Sequence, residues 1–368
     1  MAKEPKDQAV SERLPVARVA VDISLAHLDR PFDYLVPARL DAEAVPGCRV
    51  RVRFAGQLVD GYLLERTETS EHQGRLARLE RVISPEPVLT REIFDLARAV
   101  ADRYAGTLAD VLRLAIPPRH ATAEREAPAE RKAPERKAPE RKGIARAPAP
   151  AEPALAPPDP GSWSRYAAGA AFLAGLAEGR PVRAAWSALP GTGAGAPDWP
   201  AEIAVAAATT VAAGRGAVIV VPDARDLDRV DAALTGTGLD HVCLAADLGP
   251  AERYRRWLAV RRGLVRVVAG TRSAMFAPVA GLGLVVLWDD GDDLHAEPRA
   301  PYPNAREVLA LRAHRTGAAA LIGGFARTAE LTQLVAGGWA RPLTGSADQA
   351  ARTGRPSARP ARNADPAG

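Results

Sequence analysis

The chain is short of the features that most often announce a function. Only two cysteines occur in 368 residues, Cys48 and Cys243. They are too far apart for a CxxC pair, and no recognisable histidine–cysteine motif accompanies them. Neither a local zinc site nor a disulfide framework is expected, and a reducing cytoplasmic setting is the default. No stretch reaches about 18 uninterrupted apolar residues, and the first 15 residues are rich in charge. Neither a membrane span nor a secretory signal is expected. Aromatic residues are only 5% of the chain against 47% hydrophobic, so there is apolar surface for cores but little of it in rings. Ala, Gly, Pro and Arg dominate, a bias of the GC-rich kind that carries little functional information.

Net basic charge on the folded parts is also scarce. Of the net +5, segment 124–146 carries +3 and segment 342–368 carries +2, which leaves the remainder near zero. Both segments read as disordered, so the high isoelectric point is weak support for a basic nucleic-acid face on a folded domain.

What is present divides the chain in four. Residues 16–118 read as a first domain, 119–160 as a linker, 163–341 as a second domain and 342–368 as a disordered tail. In the first domain, 16–21, 32–36, 49–54 and 58–65 read as strands. Strict alternation puts Val50, Val52 and Phe54 on one face and Arg49, Arg51 and Arg53 on the other. Gly47 and Ala55-Gly56 suit a small, tightly turned barrel or sheet. The three arginines either line a phosphate backbone or form a solvated face matched by acids. Thr90 and Thr107 read as caps of two helices that end at Pro117-Pro118.

The order VARVAVDISLAHLDRPFDYLVP, GCRVRVRFAGQLVDGYLL, ISPEPVL, ADRYAGTLADVLRLAIPP resembles the N-terminal DNA-binding domain of the bacterial primosomal protein N′ family, the replication restart helicases. That resemblance implies a pocket for the terminal nucleotide of a 3′ end. Phe32, Asp33 and Tyr34 match the family's Phe-Asp-Tyr, and Phe54 with Ala55 or Gly56 matches its Phe-Gly. Phe32 would stack on a base and Asp33 would accept a hydrogen bond from a sugar hydroxyl. A basic residue of the pocket falls at Arg75 or Arg78. The family's tight Phe-Gly is loosened here to Phe54-Ala55-Gly56.

The linker repeats Ala-Pro-Glu-Arg-Lys and has nothing apolar to bury. It reads as a tether, either a bare spacer or one weakly attracted to DNA phosphates. The winged-helix domain that the resembled family carries in this part of the chain has no counterpart in its hydrophobic pattern.

The second domain alternates strands and helices, which predicts an open, mainly parallel α/β sheet. Helices are expected at 163–176, 202–213, 223–234, 250–261, 305–316 and 328–336, and strands at 183–189, 217–221, 240–244, 264–268, 282–287 and 319–322. This series resembles the family's first helicase lobe, a P-loop, RecA-like sheet. Thr192-Gly193-Ala-Gly195-Ala196-Pro197 falls where the phosphate loop reads Thr-Gly-Ser-Gly-Lys-Thr. Ala196 stands for the phosphate lysine and Pro197 for the magnesium-holding hydroxyl. After the second motif strand, Trp288 stands at the magnesium aspartate, Asp289 at the water-activating glutamate and Gly291 at a histidine. Indole cannot coordinate magnesium. Asp290 and the acids after it either recruit a cation on their own or form a solvated turn. Arg272 and Arg306 keep the family's charges, and either contact DNA or make surface salt bridges. The family's cysteine-rich zinc region and second motor lobe are not found in this chain, which is naturally short, a product of a divided gene, or a fragment.

These readings predict a degenerate relative of the restart helicase: a DNA-binding, primosome-type protein for branched or single-stranded DNA with a 3′ end, probing repair and recombination contexts without ATPase or helicase activity. No ATP, magnesium or zinc cofactor is expected, and the chain is expected to be a monomer in the cytoplasm at the nucleoid, with primosome or single-stranded-DNA-binding proteins as partners. The alternatives are a working ATP-dependent 3′–5′ helicase and a non-catalytic protein-binding adaptor.

Overall fold

The computed structural model describes residues 9–126, 161–191, 198–245 and 247–345. The first domain is an antiparallel sheet of β1 (Val16–Val21), β2 (Phe32–Leu35), β3 (Arg49–Phe54), β4 (Gln57–Thr67) and β5 (Leu79–Ser84) in the order β2-β1-β4-β3-β5. A bridge between Leu35 and Arg78, with Leu35 N–H donating to the Ala77 carbonyl at 2.8 Å, joins the two ends into a small barrel. Closure satisfies edges that would otherwise be exposed. The alternation read in the sequence holds: Val50 and Val52 are buried with Val19, Leu63 and Leu79 inside the barrel. Strand β5 was not foreseen, because its pattern LERVIS breaks alternation and its pairing with β3 shifts register twice.

The chain then forms α1 (Arg91–Arg103) and α2 (Leu108–Ala115), capped as predicted by the Thr90 and Thr107 hydroxyls. The linker was expected to start at 119, but α3 (Ala121–Arg125) follows, with Ala123 buried. It is ordered because Glu126 pairs with Arg255 at 2.6 Å and the Glu124 carbonyl accepts from Arg262 at 3.2 Å. The repeats beyond 126 lie outside the described residues.

The second domain runs α4 (Gly169–Ala177), β6 (Arg183–Ser187), α5 (Trp199–Ala212), β7 (Gly216–Val220), α6 (Ala224–Gly236), β8 (His241–Leu244), α7 (Pro250–Arg261), β9 (Val267–Gly270), β10 (Leu282–Trp288), α8 (Ala305–Thr316), β11 (Ala319–Gly324), α9 (Ala329–Ala336) and β12 (Arg341–Leu343). Its seven strands are all parallel, in the order β12-β6-β11-β10-β7-β9-β8, with helices packed on the sheet. This is the open parallel sheet that the alternation predicted, and it is consistent with the RecA-like lobe that the resemblance implied. Strands β7, β10 and β11 are buried along their whole length, which is why they read as unbroken apolar runs rather than alternating ones.

Three boundaries are corrected. The helix expected at 163–176 is split into a 3₁₀ turn, Gly161–Arg165, and α4. Trp163 and Tyr166 turn into the core, and a Cβ at Gly169 would meet the Trp163 carbonyl oxygen at 2.0 Å, so only glycine permits that chain path. The strand expected at 264–268 starts at Val267, since Gly263 (φ +70°) closes α7 and leaves Leu264 exposed. Residues 342 and 343, expected in the tail, belong to β12, which adds an edge strand to β6, and the expected tail from 346 on lies outside the described residues.

The domains share one core. Residues of α1 and α2 pack with α7, α8 and the 3₁₀ turn Arg272–Phe276. Arg312 of α8, fully buried, forks onto Glu92 of α1 at 2.9 and 3.0 Å and also donates to the Met275 and Ala277 carbonyls, each at 2.8 Å. Arg262 makes a second fork, onto Glu86.

Candidate nucleic-acid interface

Phe32 opens β2 and Phe54 ends β3, so barrel closure brings two half-buried rings together at one end. Their centroids are 4.8 Å apart, edge to face, and the Arg30 guanidinium lies 5.0 Å over the Phe32 ring. Asp33, paired in register with Arg18 across β1, accepts from Arg18 Nε at 3.4 Å and from the Ser70 hydroxyl at 2.5 Å. Tyr34 points the other way, into the barrel; it is 3% exposed and burial pushes its hydroxyl up to about 12. Of the three matched residues, Phe32 and Asp33 therefore reach the surface and Tyr34 packs the wall behind them.

The hairpin tip beside Phe54 is two residues long, Ala55 (φ 47°) and Gly56 (φ 83°), between the paired Phe54 and Gln57. Both central residues are left-handed, the turn that best matches strand twist. The phenylalanine and glycine thus stay close despite the extra alanine. Around the barrel wall, Arg78 and Arg75 line an open groove of about 540 Å³ together with Arg39, Arg53, Leu35 and Pro37. The structure brings both candidates for the basic residue into one groove.

The arginine face of β3 is engaged within the protein. Arg51 pairs with Asp60 at 2.5 Å and Arg53 with Glu80 at 3.1 Å, while Arg49 donates to the Tyr62 hydroxyl at 2.9 Å and the Pro117 carbonyl at 2.7 Å. The exposed pairs cost little to exchange for phosphates. Arg49 is instead a strut between the barrel and α2.

In the second domain Arg272 sits in a cleft of about 730 Å³ between the two domains, with Arg113, Arg253, Arg299, Pro118 and Trp257 in its lining. Its Nε donates to Glu297 at 2.8 Å. Arg306, expected on the surface, is 7% exposed and paired with Asp290 at 2.9 Å. Asp290, expected in a solvated turn, is 3% exposed, and its second oxygen accepts from the Thr328 hydroxyl. The reason is topological: β10 and β11 are neighbours, so the turn after β10 is roofed by the N-terminus of α9 and by α8.

Trp288 ends β10 at the carboxyl edge of the sheet, the usual ligand position of such folds. It is 2% exposed, stacked on Trp199 of α5 at 4.0 Å and 7°, with Trp186 of β6 at 5.4 Å and Phe325 at 5.2 Å. Asp198 caps α5, accepting from Trp199 N–H, and pairs with Arg229, whose guanidinium lies over the Trp199 ring. Asp289 follows with φ 54°; burial, then Asp292 and Asp290, push its carboxyl upward. The phosphate-loop residues Thr192, Gly193, Gly195, Ala196 and Pro197 lie outside the described residues. The aromatic cluster was missed in the sequence, though one signal was available: four of only six tryptophans gather within it or beside it, at 163, 186, 199 and 288.

The family described as "3′DNA-binding domain (3′BD)" of PriA matches residues 18–117, the barrel with α1 and α2. The chain is 54% identical over 323 residues to the probable replication restart protein PriA of Mycobacterium tuberculosis, covering 87% of this chain and 46% of that protein. The corresponding protein of Mycobacterium leprae is 52% identical over 324 residues, again 87% of this chain and 46% of that one. The replication restart protein PriA of Bacillus subtilis is 27% identical over 121 residues, 33% of this chain and 15% of that protein. A solved C-terminal domain of S. cerevisiae Dbp5 aligns with a TM-score of 0.28 and 16% identity over 37% of this chain and 79% of that one. The chain spans about half the length of the curated relatives it matches most fully. Residues 18–117 thus match the PriA 3′ DNA-binding-domain family, and the likeness to the replication restart protein PriA runs on through the parallel-sheet lobe.

Proposed function

We propose that this chain binds branched DNA or the 3′ end of a nascent strand in replication restart, and that it does so without hydrolysing ATP. The binding half of the proposal rests on the match of residues 18–117 and on Phe32, Asp33 and Phe54 gathered at one end of the barrel. A terminal base would stack against the Phe32–Phe54 pair, and Asp33 would take a sugar hydroxyl in place of Ser70. Phosphates would follow the groove of Arg75 and Arg78 and, in the lobe, the cleft at Arg272.

The observation that carries the non-hydrolytic half is the Trp288–Trp199 stack. The residues there do not fit magnesium and a nucleotide. An indole fills the metal position, Asp290 is committed to Arg306 and Thr328, and a carboxylate, Asp198, caps the helix end that would face phosphate. The lobe is then a scaffold, holding the barrel through Arg312 and offering surface to DNA or to primosome or single-stranded-DNA-binding partners.

The test is binding to a fork with a free 3′-hydroxyl leading-strand end against the same fork blocked by a 3′-phosphate, alongside DNA-stimulated ATP hydrolysis. End-selective binding without turnover is expected. Phe32→Ala with Asp33→Ala should abolish the preference while leaving the thermal transition in place. Equal binding to both forks would overturn the end-pocket reading, and turnover would overturn the scaffold reading.

A further inference from the structure

Strand β8 places His241 and Cys243 two residues apart, so both side chains stand on the same face. Helix α6 lays Asp231 across that face. Asp231 Oδ1 lies 2.8 Å from His241 Nε2 and 3.2 Å from Cys243 Sγ, and the three donor atoms fall within 4.8 Å of one another. The other ring nitrogen, Nδ1, is 2.9 Å from the Leu239 carbonyl. A carbonyl can only accept, so Nδ1 carries the ring hydrogen and the Nε2 lone pair of the neutral imidazole aims at a carboxylate. Two acceptors 2.8 Å apart need a proton or a metal ion between them. A backbone carbonyl fixing Nδ1–H is also how ligating histidines are held.

We infer that Asp231, His241 and Cys243 bind one zinc-type divalent ion, with water completing the coordination. A thiolate and an imidazole select a borderline-soft ion over magnesium or calcium. Tetrahedral bonds of about 2.0 Å to N and O and about 2.3 Å to S place N and O about 3.3 Å apart and S and O about 3.5 Å apart. The two pairs through Asp231 need to open by a few tenths of an ångström, and His241 Nε2 and Cys243 Sγ, which lie within 4.8 Å of each other, need to come to about 3.5 Å. The Asp231 side chain is 53% exposed, so an ion enters from solvent. Carboxylate and thiolate together neutralise its charge. The nearby Arg256, which donates to the Cys243 carbonyl, has its own counter-ion in Glu252 at 2.8 Å.

On binding, the thiol proton passes to buffer as the S–metal bond forms, nitrogen and carboxylate donate lone pairs, and no electron is transferred. The ion ties α6 to β8, the edge strand opposite β12, and blunts an edge open to wrong pairing. This departs from the expectation of no metal, which found no histidine–cysteine cluster beside either cysteine in the sequence. Cys48 is buried in the barrel and takes no part.

The untagged full chain is titrated with Co²⁺ as spectroscopic probe and then with Zn²⁺ in competition, with thermal unfolding followed in parallel. One equivalent, a sulfur-to-cobalt charge-transfer band and a higher melting temperature with Zn²⁺ are expected. Cys243→Ser should remove the band, Cys48→Ser should keep it, and Asp231→Asn should weaken affinity at least about tenfold. Absence of the band, or a band that survives Cys243→Ser, overturns the site. Asp231 is half-exposed, so Asp231→Asn decides the matter if the cysteine variant does not fold: unchanged affinity there overturns it as well.

Discussion

The indole of Trp288 lies flat on that of Trp199, with centroids 4.0 Å apart and planes within 7°. One ring comes from the last residue of β10 and the other from the first turn of α5. These two elements flank the ligand position of a parallel sheet, and the stack sits at that position. Trp288→Asp, which puts a carboxylate at the end of β10, is expected to lose about 3–5 kcal/mol in urea unfolding. It should gain no phosphate release, since Asp198 and the Arg306–Asp290 pair remain. Measurable turnover would mean that the rest of the nucleotide site survives around the indole.

Arg312 joins the two domains with a guanidinium that satisfies Glu92 and two carbonyls at once. Arg312→Met keeps much of the volume but orphans those three acceptors. A loss of about 3 kcal/mol is expected, since removing one partner of a buried pair costs more than the pair contributes. Glu92 is a third exposed and partly rehydrates, which holds the figure at the lower end. A destabilisation below about 1 kcal/mol would show that the shared apolar core, not the ion pair, holds the domains together.

The second domain was legible because most of its helices carry side-chain caps and its central strands are buried on both faces. Helices α7 and α8 were read to the residue. Side-chain fates were less legible. Arg306 and Asp290 read as surface charges because a sequence does not show that β11 lies beside β10 and brings α9 over the turn. Cys243 and His241 were overlooked as a pair because their third member, Asp231, comes from a helix and meets them only through the fold. The phenylalanine pair was reached by resemblance; nothing in the spacing of Phe32 and Phe54 says that the barrel closes.

His295 is fully buried; its Nε2–H donates to the Trp288 carbonyl at 2.9 Å, and Nδ1 has no hydrogen-bond partner among the described residues. Burial holds its pKa below the ordinary 6.5, against a smaller upward pull from the Trp288 carbonyl, Asp292 and Asp290. In the window below 6.5 the unfolded chain therefore binds a proton that the folded chain refuses. Stability rises with pH there and falls as pH drops, by at most about 1.4 kcal/mol per pH unit from this group. His295→Gln should remove that share. The urea midpoint of the native chain should fall more steeply between pH 7.5 and 5.5 than that of the variant, and parallel slopes would refute the assignment.

Ala55 sits at φ 47° in the two-residue turn beside Phe54, where a Cβ costs about 1 kcal/mol against the following carbonyl. Asparagine tolerates this conformation and with Gly56 makes the turn pair best suited to this hairpin. Ala55→Asn is therefore expected to raise stability by about 0.5–1 kcal/mol in urea unfolding. Glycine would gain less, because it also enlarges the entropy of the unfolded chain. The Ala55 side chain is exposed, and Phe54 is already fixed against Phe32. Selectivity for a free 3′ end should accordingly be unchanged in Ala55→Asn. A change in selectivity without a change in stability would mean that the turn itself touches DNA, and that the alanine is kept for contact rather than tolerated as strain.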